Sequence, residues 1–225
     1  MSVDIMGAIR FVDATTSEQV GGRLSVQAAL VDVRPNRSGL YVIWRAPGGA
    51  STLTVSDPEG RYVSRRFRMQ FPRDANLANA GEPSSIYQPE QVRLFPSPIA
   101  ATSPGWALLR ATVKKAGSAQ VLAGALIRIV RASDSKLLAS GVSDARGEAL
   151  VIVPGIPVTL FDGGTGPVVG TALDVNVQTV FDPAAQDAPD PDDIESHKDT
   201  LPSSTVSRKL SSGQTLVAEL MVTVP

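Results

Sequence analysis

The side chains that could do chemistry fall in four places. The most conspicuous is the acidic run Asp182-Pro183-Ala184-Ala185-Gln186-Asp187-Ala188-Pro189-Asp190-Pro191-Asp192-Asp193-Ile194-Glu195. Calcium takes about six to eight oxygen ligands, and closely spaced aspartates supply them. A calcium loop, however, alternates its acids around a turn glycine, and proline stands here where that glycine belongs. The run reads instead as a solvated, partly extended loop stiffened by proline. In that reading Asp190, Asp192 and Asp193 are candidates for docking on a basic surface of a neighbouring subunit and ordering on assembly. His197 is the chain's one histidine. It could be drawn into a Ser-His-Asp relay with Ser196 or Ser203 and Asp199, yet all of these crowd one polar stretch. No Gly-x-Ser-x-Gly elbow places a serine on a strand-to-helix turn. Gly163-Gly164-Thr165-Gly166, with Gly170, lacks the following helix that a phosphate cradle needs, because Pro167-Val168-Val169 comes next. The last place is the basic run Arg61, Arg65, Arg66, Arg68 and Arg73, interleaved with Tyr62, Phe67 and Phe71. Such interleaving can mark a platform for single-stranded nucleic acid. Period-two spacing sends the aromatics inward and Arg66 and Arg68 outward, which makes these two arginines the first candidates for subunit contact.

Composition narrows the chemistry further. In 225 residues there are 21 Lys+Arg against 22 Asp+Glu, a net charge of −1, so there is no basic excess to displace the counterions of a nucleic acid. Hydrophobic residues make up 43% and charged residues 19%, which excludes a highly charged disordered chain. Cysteine is absent, so disulfide frameworks, thiolate catalysis and cysteine zinc sites are out. No catalytic residue, cofactor or metal is expected, and the expected class is a non-enzyme. No apolar run approaches the roughly 20 residues of a membrane span. Met1-Ser2-Val3-Asp4-Ile5-Met6-Gly7 lacks the basic and apolar segments of a secretory signal, so synthesis in the cytoplasm is expected, compatible with assembly into a particle released later.

The elements that must position these residues are strands. Nineteen glycines and seventeen prolines cut the chain into short apolar runs, the pattern of an all-β sandwich or barrel. Runs are expected at 8–12, 24–33, 39–44, 52–55, 61–63 with 66–71, 106–113, 125–130, 137–142, 149–153, 172–178 and 215–224. The only expected helix is short, near 191–198, where a proline and acids suit a first turn. The turn Ser56-Asp57-Pro58-Glu59-Gly60 matches Ser143-Asp144-Ala145-Arg146-Gly147, and Ile9-Arg10-Phe11-Val12-Asp13-Ala14-Thr15 matches Ile127-Arg128-Ile129-Val130-Arg131-Ala132-Ser133. These matches suggest two related β-sandwich modules in tandem. One spans 1–98 and carries a loop at 72–93; the other spans 105–225 and carries the acidic loop at 179–206. The boundary falls in the proline-rich stretch between them.

The stretch Gly124-Ala125-Leu126-Ile127-Arg128-Ile129-Val130, followed by Ala139-Ser140-Gly141-Val142-Ser143-Asp144-Ala145-Arg146-Gly147-Glu148-Ala149-Leu150-Val151-Ile152, resembles a carboxypeptidase-regulatory-like domain. Such domains are small transthyretin-like or immunoglobulin-like sandwiches. The resemblance covers roughly residues 107–160, and the first half only through its own Ser-Asp-x-x-Gly turn. It implies a non-catalytic module; the family's peptidase zinc motif is missing. The layout also resembles accessory β proteins of phage tails and contractile injection systems, through Ser38-Gly39-Leu40-Tyr41-Val42, Arg61-Tyr62-Val63-Ser64-Arg65-Arg66-Phe67, Leu94-Phe95-Pro96-Ser97-Pro98 and Phe181-Asp182-Pro183. That resemblance implies a structural adaptor in a multi-subunit assembly, whose partners are other protein subunits. The alternative is a soluble module that binds carbohydrate or peptide.

Overall fold

The computed structural model describes residues 5–156, 172–185 and 188–224. Packing of the chain divides it into two units, Met1–Glu59 with Ser64–Leu94, and Gly60–Val63 with Phe95–Pro225. Each is a pair of β-sheets facing one another.

The N-terminal unit has seven strands: β1 (Gly7–Asp13), β2 (Ser25–Gln27), β3 (Asp32–Pro35), β4 (Tyr41–Arg45), β5 (Gly49–Ser56), β6 (Arg65–Phe71) and β7 (Glu90–Leu94). They form the sheets β3-β4-β1-β7 and β2-β5-β6. Alternation fills the space between them: Ile9, Phe11, Tyr41, Ile43, Val92 and Leu94 come from one sheet, and Leu53, Val55, Phe67, Met69 and Phe71 from the other. The Phe11 ring meets Tyr41 edge-on at 5.1 Å and Phe67 at 6.0 Å, the geometry the ring quadrupole favours.

The C-terminal unit has β8 (Ala107–Lys115), β9 (Leu126–Arg131), β10 (Leu137–Val142), β11 (Glu148–Val153), β12 (Leu173–Val180), β13 (Ser203–Leu210) and β14 (Thr215–Val222). These form the sheets β11-β8-β14 and β10-β9-β12-β13. Leu109, Val113, Val151, Leu220 and Val222 of the first sheet pack on Ile127, Ile129, Val175 and Val177 of the second. One α-helix is seen among the described residues, α1 (Pro191–His197). Pro191 stands in its first turn and Asp190 caps it, the Asp190 side chain accepting from Asp193 N at 3.3 Å. The chain is all-β, with two β-sandwich modules and a short helix at the expected place.

The two units share a topology. With the strands of each counted one to seven, the C-terminal sheets run 4-1-7 and 3-2-5-6, and the N-terminal sheets 3-4-1-7 and 2-5-6. Only the third strand changes sheets. In both units the first and last strands are parallel neighbours, β1 with β7 and β8 with β14. The sequence matches do not mark this correspondence. The turn at 56–60 follows the fifth strand of its unit, whereas that at 143–147 follows the third. Likewise 9–15 lies on a first strand and 127–133 on a second. The matched residues share turn and strand chemistry, not a position in the fold.

Four further expectations change. The run 24–33 is broken into β2 and β3, which belong to different sheets. The break passes through Leu30, which is 79% exposed at φ +61°. Residues 61–63 do not extend β6. Instead they pair with the proline-rich stretch: Val63 N donates to Phe95 O at 2.9 Å and Ser97 N to Arg61 O at 2.8 Å. Phe95, Pro96 and Ser97 are therefore buried, and this stretch is paired structure within the C-terminal unit. Finally, the loops expected at 72–93 and 179–206 each contain ladder structure, β7 in the first and the start of β13 in the second. β13 is too polar to announce itself, yet all eight of its residues pair with β12 in unbroken register.

Candidate functional site

On β6 the odd-numbered residues face the core and the even-numbered ones face away. Phe67, Met69 and Phe71 are buried, Arg66 is half-buried and Arg68 is exposed. β6 is also an edge of its sheet. The same parity carries Arg65 inward. Arg65 is 1% exposed, donating from Nη1 to Arg93 O at 2.9 Å and from Nε to Arg66 O at 3.1 Å. Burial of a guanidinium demands such partners. The Arg73 side chain is 6% exposed and gathers the following loop around itself. It donates to Ser85 O at 3.2 Å, to Gln88 O at 3.1 Å, to Pro83 O, and to Glu90 Oε2 at 2.8 Å. The sequence pattern held this signal for Arg65, which shares the parity of Phe67 and Phe71, whereas Arg73 lies past the end of β6.

The loop at 74–89 is itself organised by local side-chain capping. Asp74 Oδ1 accepts from Asn76 N at 2.8 Å and Oδ2 from Asn79 Nδ2 at 2.7 Å. These bonds hold the Asp74 carboxyl below the usual carboxylate range, with the Asn79 amide the larger cause and the Asn76 N–H next. Ile86 N closes the loop on Asp74 O at 2.9 Å. A short 3-10 helix, Leu77–Asn79, then lifts Leu77 to 74% exposure, and Tyr87 is 48% exposed on the same loop.

In the C-terminal unit the three candidate aspartates stand together at the start of α1, with different duties. Asp190 is the cap, Asp192 is exposed in the first turn, and Asp193 reaches toward His197, its Oδ1 3.6 Å from Nδ1. Of the relay drawn from the sequence, the structure brings Ser196 Oγ to 3.0 Å from His197 Nδ1. Ser196 Oγ donates to Asp193 O at 2.8 Å. His197 Nδ1 lies 2.9 Å from that same carbonyl, which can only accept, so Nδ1 carries its hydrogen there. Asp199 pairs instead with Lys198, at 3.7 Å. Among the described residues no group of three or more His, Cys, Asp or Glu is close enough to hold a metal ion. No helix among them is long and apolar enough to cross a membrane. The glycine-rich stretch at 163–170 lies outside the described residues.

A feature that sequence reasoning missed is a cleft of about 160 Å³ on the outer face of the β10-β9-β12-β13 sheet, near the end of α1. Arg128, Gln178, Thr205, Ser203, Val180, Lys198 and Asp199 line it. Register aligns the first three across neighbouring strands, Gln178 opposite both Arg128 and Thr205.

No family model matches the chain, and no curated protein matches it. Solved structures similar to it include the Bacillus anthracis TIE protein, at a TM-score of 0.33 and 10% identity over 97% of this chain and 34% of that one. The shaft pilin SpaA from Lactobacillus rhamnosus GG gives 0.32 and 12% over 86% of this chain and 69% of that one. The minor pilin GBS52 of Streptococcus agalactiae gives 0.32 and 9% over 97% of both. The chain thus spans about a third of the length of the TIE protein. Similarities at this level carry no argument about what the chain does.

Proposed function

We propose that the chain is a non-catalytic structural adaptor of a multi-subunit assembly, docking on other protein subunits through β6 and the loop that follows it. The observation that carries this reading is the loop at 74–89. Arg73 and Asp74 hold it in one arrangement, and that arrangement points Leu77 and Tyr87 at solvent. An ordered loop with exposed apolar side chains loses little conformational freedom on docking, so most of the contact energy survives as affinity. Aromatic anchors of this kind dominate protein interfaces. The preceding strand adds main-chain hydrogen-bonding groups along a sheet edge, with Arg66 and Arg68 on its outward side for acidic partners. Asp192 and Asp193, in the first turn of α1, form a second, acidic contact surface. A phage-tail-like contractile injection particle is the assembly that the sequence resemblance favours, and a carboxypeptidase-regulatory-like module is its reading of the C-terminal unit.

The test is sedimentation of particles from the native source, with mass spectrometry to locate the chain. The wild type is expected in a high-mass fraction and a Leu77→Ser/Tyr87→Ser variant at monomer mass. Recovery of the wild type solely as a free monomer, under conditions that preserve large particles, defeats the reading.

A further inference from the structure

We propose that the cleft between the β10-β9-β12-β13 sheet and the end of α1 is a binding site for a small oxyanion, a phosphate, sulfate or carboxylate group. The argument is one of donors and acceptors. Val175 and Val177 of β12 face the core, so Gln178 faces outward, in one row with Arg128 and Thr205. The next row outward from the core of the sheet pairs Val180 with Ser203.

Arg128 is largely buried, its side chain 13% exposed, with Glu195 Oε2 2.8 Å from its Nε. Its Nη1 donates to Gln178 Oε1. That bond fixes the amide: with the Gln178 carbonyl engaged by Arg128, the amide NH₂ is what Gln178 has left to offer the cleft. Ser203 and Thr205 add hydroxyls, and Lys198 adds an ammonium group whose side chain is 32% exposed. Donors thus come from Arg128, Gln178, Ser203, Thr205 and Lys198. One carboxylate, Asp199, also lines the cleft; it is 90% exposed and lies 3.7 Å from the Lys198 ammonium. A site of this kind is completed by a ligand made of acceptors, and charge-assisted bonds from Lys198 and the row of polar groups favour an anion over a neutral one. The volume of about 160 Å³ accommodates one tetrahedral or planar oxyanion with a few waters. This inference is independent of the adaptor reading.

Titration of the full chain with sodium phosphate, sulfate and acetate at constant ionic strength tests it, read by the NMR signals of the Gln178 side-chain amide, with sodium chloride as the control. A saturable shift with at least one of the three is expected and none with chloride. The phosphate and sulfate arms separate a tetrahedral preference from the planar one reported by acetate. Lys198→Gln removes a charge without touching the pair between Arg128 and Glu195, and is expected to weaken binding about tenfold. Thr205→Val is expected to weaken it about threefold or more. Unchanged Val175 and Val177 amide signals in both variants show that the sheet is intact. No saturable shift with any of the three anions, or variants that titrate like the wild type, overturns the proposal.

Discussion

Glu195 Oε2 lies 2.8 Å from Arg128 Nε and ties α1 to β9 across the outer face of the sheet. Ile194 of the same helix is 2% exposed, so the helix is held by apolar burial as well as by charge. The Nε hydrogen is not aligned with a hydrogen-bond acceptor, which makes the attraction mainly coulombic. Glu195→Gln is therefore expected to destabilise the C-terminal unit by about 1 kcal/mol, since Arg128 keeps Gln178 but loses its counter-charge in a largely dehydrated position. Urea unfolding followed by circular dichroism measures it.

The two Ser-Asp-x-x-Gly turns separate conformational strain from steric strain. Gly60 and Gly147 both sit at φ +71°. A Cβ on Gly147 would lie 2.8 Å from Val121 Cβ and 2.9 Å from Val113 O, whereas on Gly60 the nearest atom is Ile99 Cδ1 at 3.6 Å. Gly60→Ala is expected to cost about 1 kcal/mol, for the left-handed backbone alone. Gly147→Ala is expected to cost at least twice that, because the Val113 carbonyl and the Val121 side chain must give way. Thermal unfolding of the two variants side by side checks the order.

Ser143 is 1% exposed, and its hydroxyl accepts from Ala125 N at 2.9 Å while donating to Leu122 O at 2.7 Å. Ser143→Ala leaves both main-chain groups without that partner and is expected to cost about 2 kcal/mol. Ser56→Ala, at the matching place in the other turn, is expected to be nearly neutral because Ser56 is only half-buried. Chemical denaturation of each variant measures the difference.

Asp74 titrates below the ordinary carboxylate range because the charged form is the one that Asn79 and Asn76 N bond. A depressed folded value means that its contribution to loop order is full above the ordinary value of about 3.9 and is lost as pH falls through the depressed one. Asn79→Ala removes the larger cause and is expected to move Asp74 upward. Titration of the Asp74 carboxyl by NMR reads this directly, and an unchanged midpoint in Asn79→Ala refutes it.

Arg73→Met keeps the buried stem but removes every donor to Pro83 O, Ser85 O, Gln88 O and Glu90. The loop is expected to open without unfolding the sandwich. Hydrogen exchange at Ile86 N, bonded to Asp74 O at 2.9 Å, should quicken at least tenfold, while exchange in the middle of β6 stays slow.

Local chemistry was legible wherever one residue type dictates its own surroundings. Asp57 and Asp144 cap their turns, Oδ1 accepting from Glu59 N at 3.1 Å and from Arg146 N at 2.8 Å respectively. Pro191 and the acids after it start a helix, and alternation on β6 sends Phe67 and Phe71 inward. β13 escaped notice because its partner strand, rather than its own polar side chains, makes it a strand. The cleft escaped notice because its six polar residues come from β9, β12, β13 and the end of α1, and no spacing along the chain connects them.

By itself the sequence determined the fold class: glycines and prolines at short intervals and alternating apolar residues specify an all-β chain. Those properties act within a few residues, through φ preferences and the two-residue period of a strand. Only the tertiary structure decided which strands are neighbours. It put the third strand of one unit in the other sheet, set first and last strands in parallel, and laid Arg128, Gln178 and Thr205 in one row. Such pairings are settled by which apolar faces can be buried together once the whole chain is present, and turns that look alike in sequence then serve different strands.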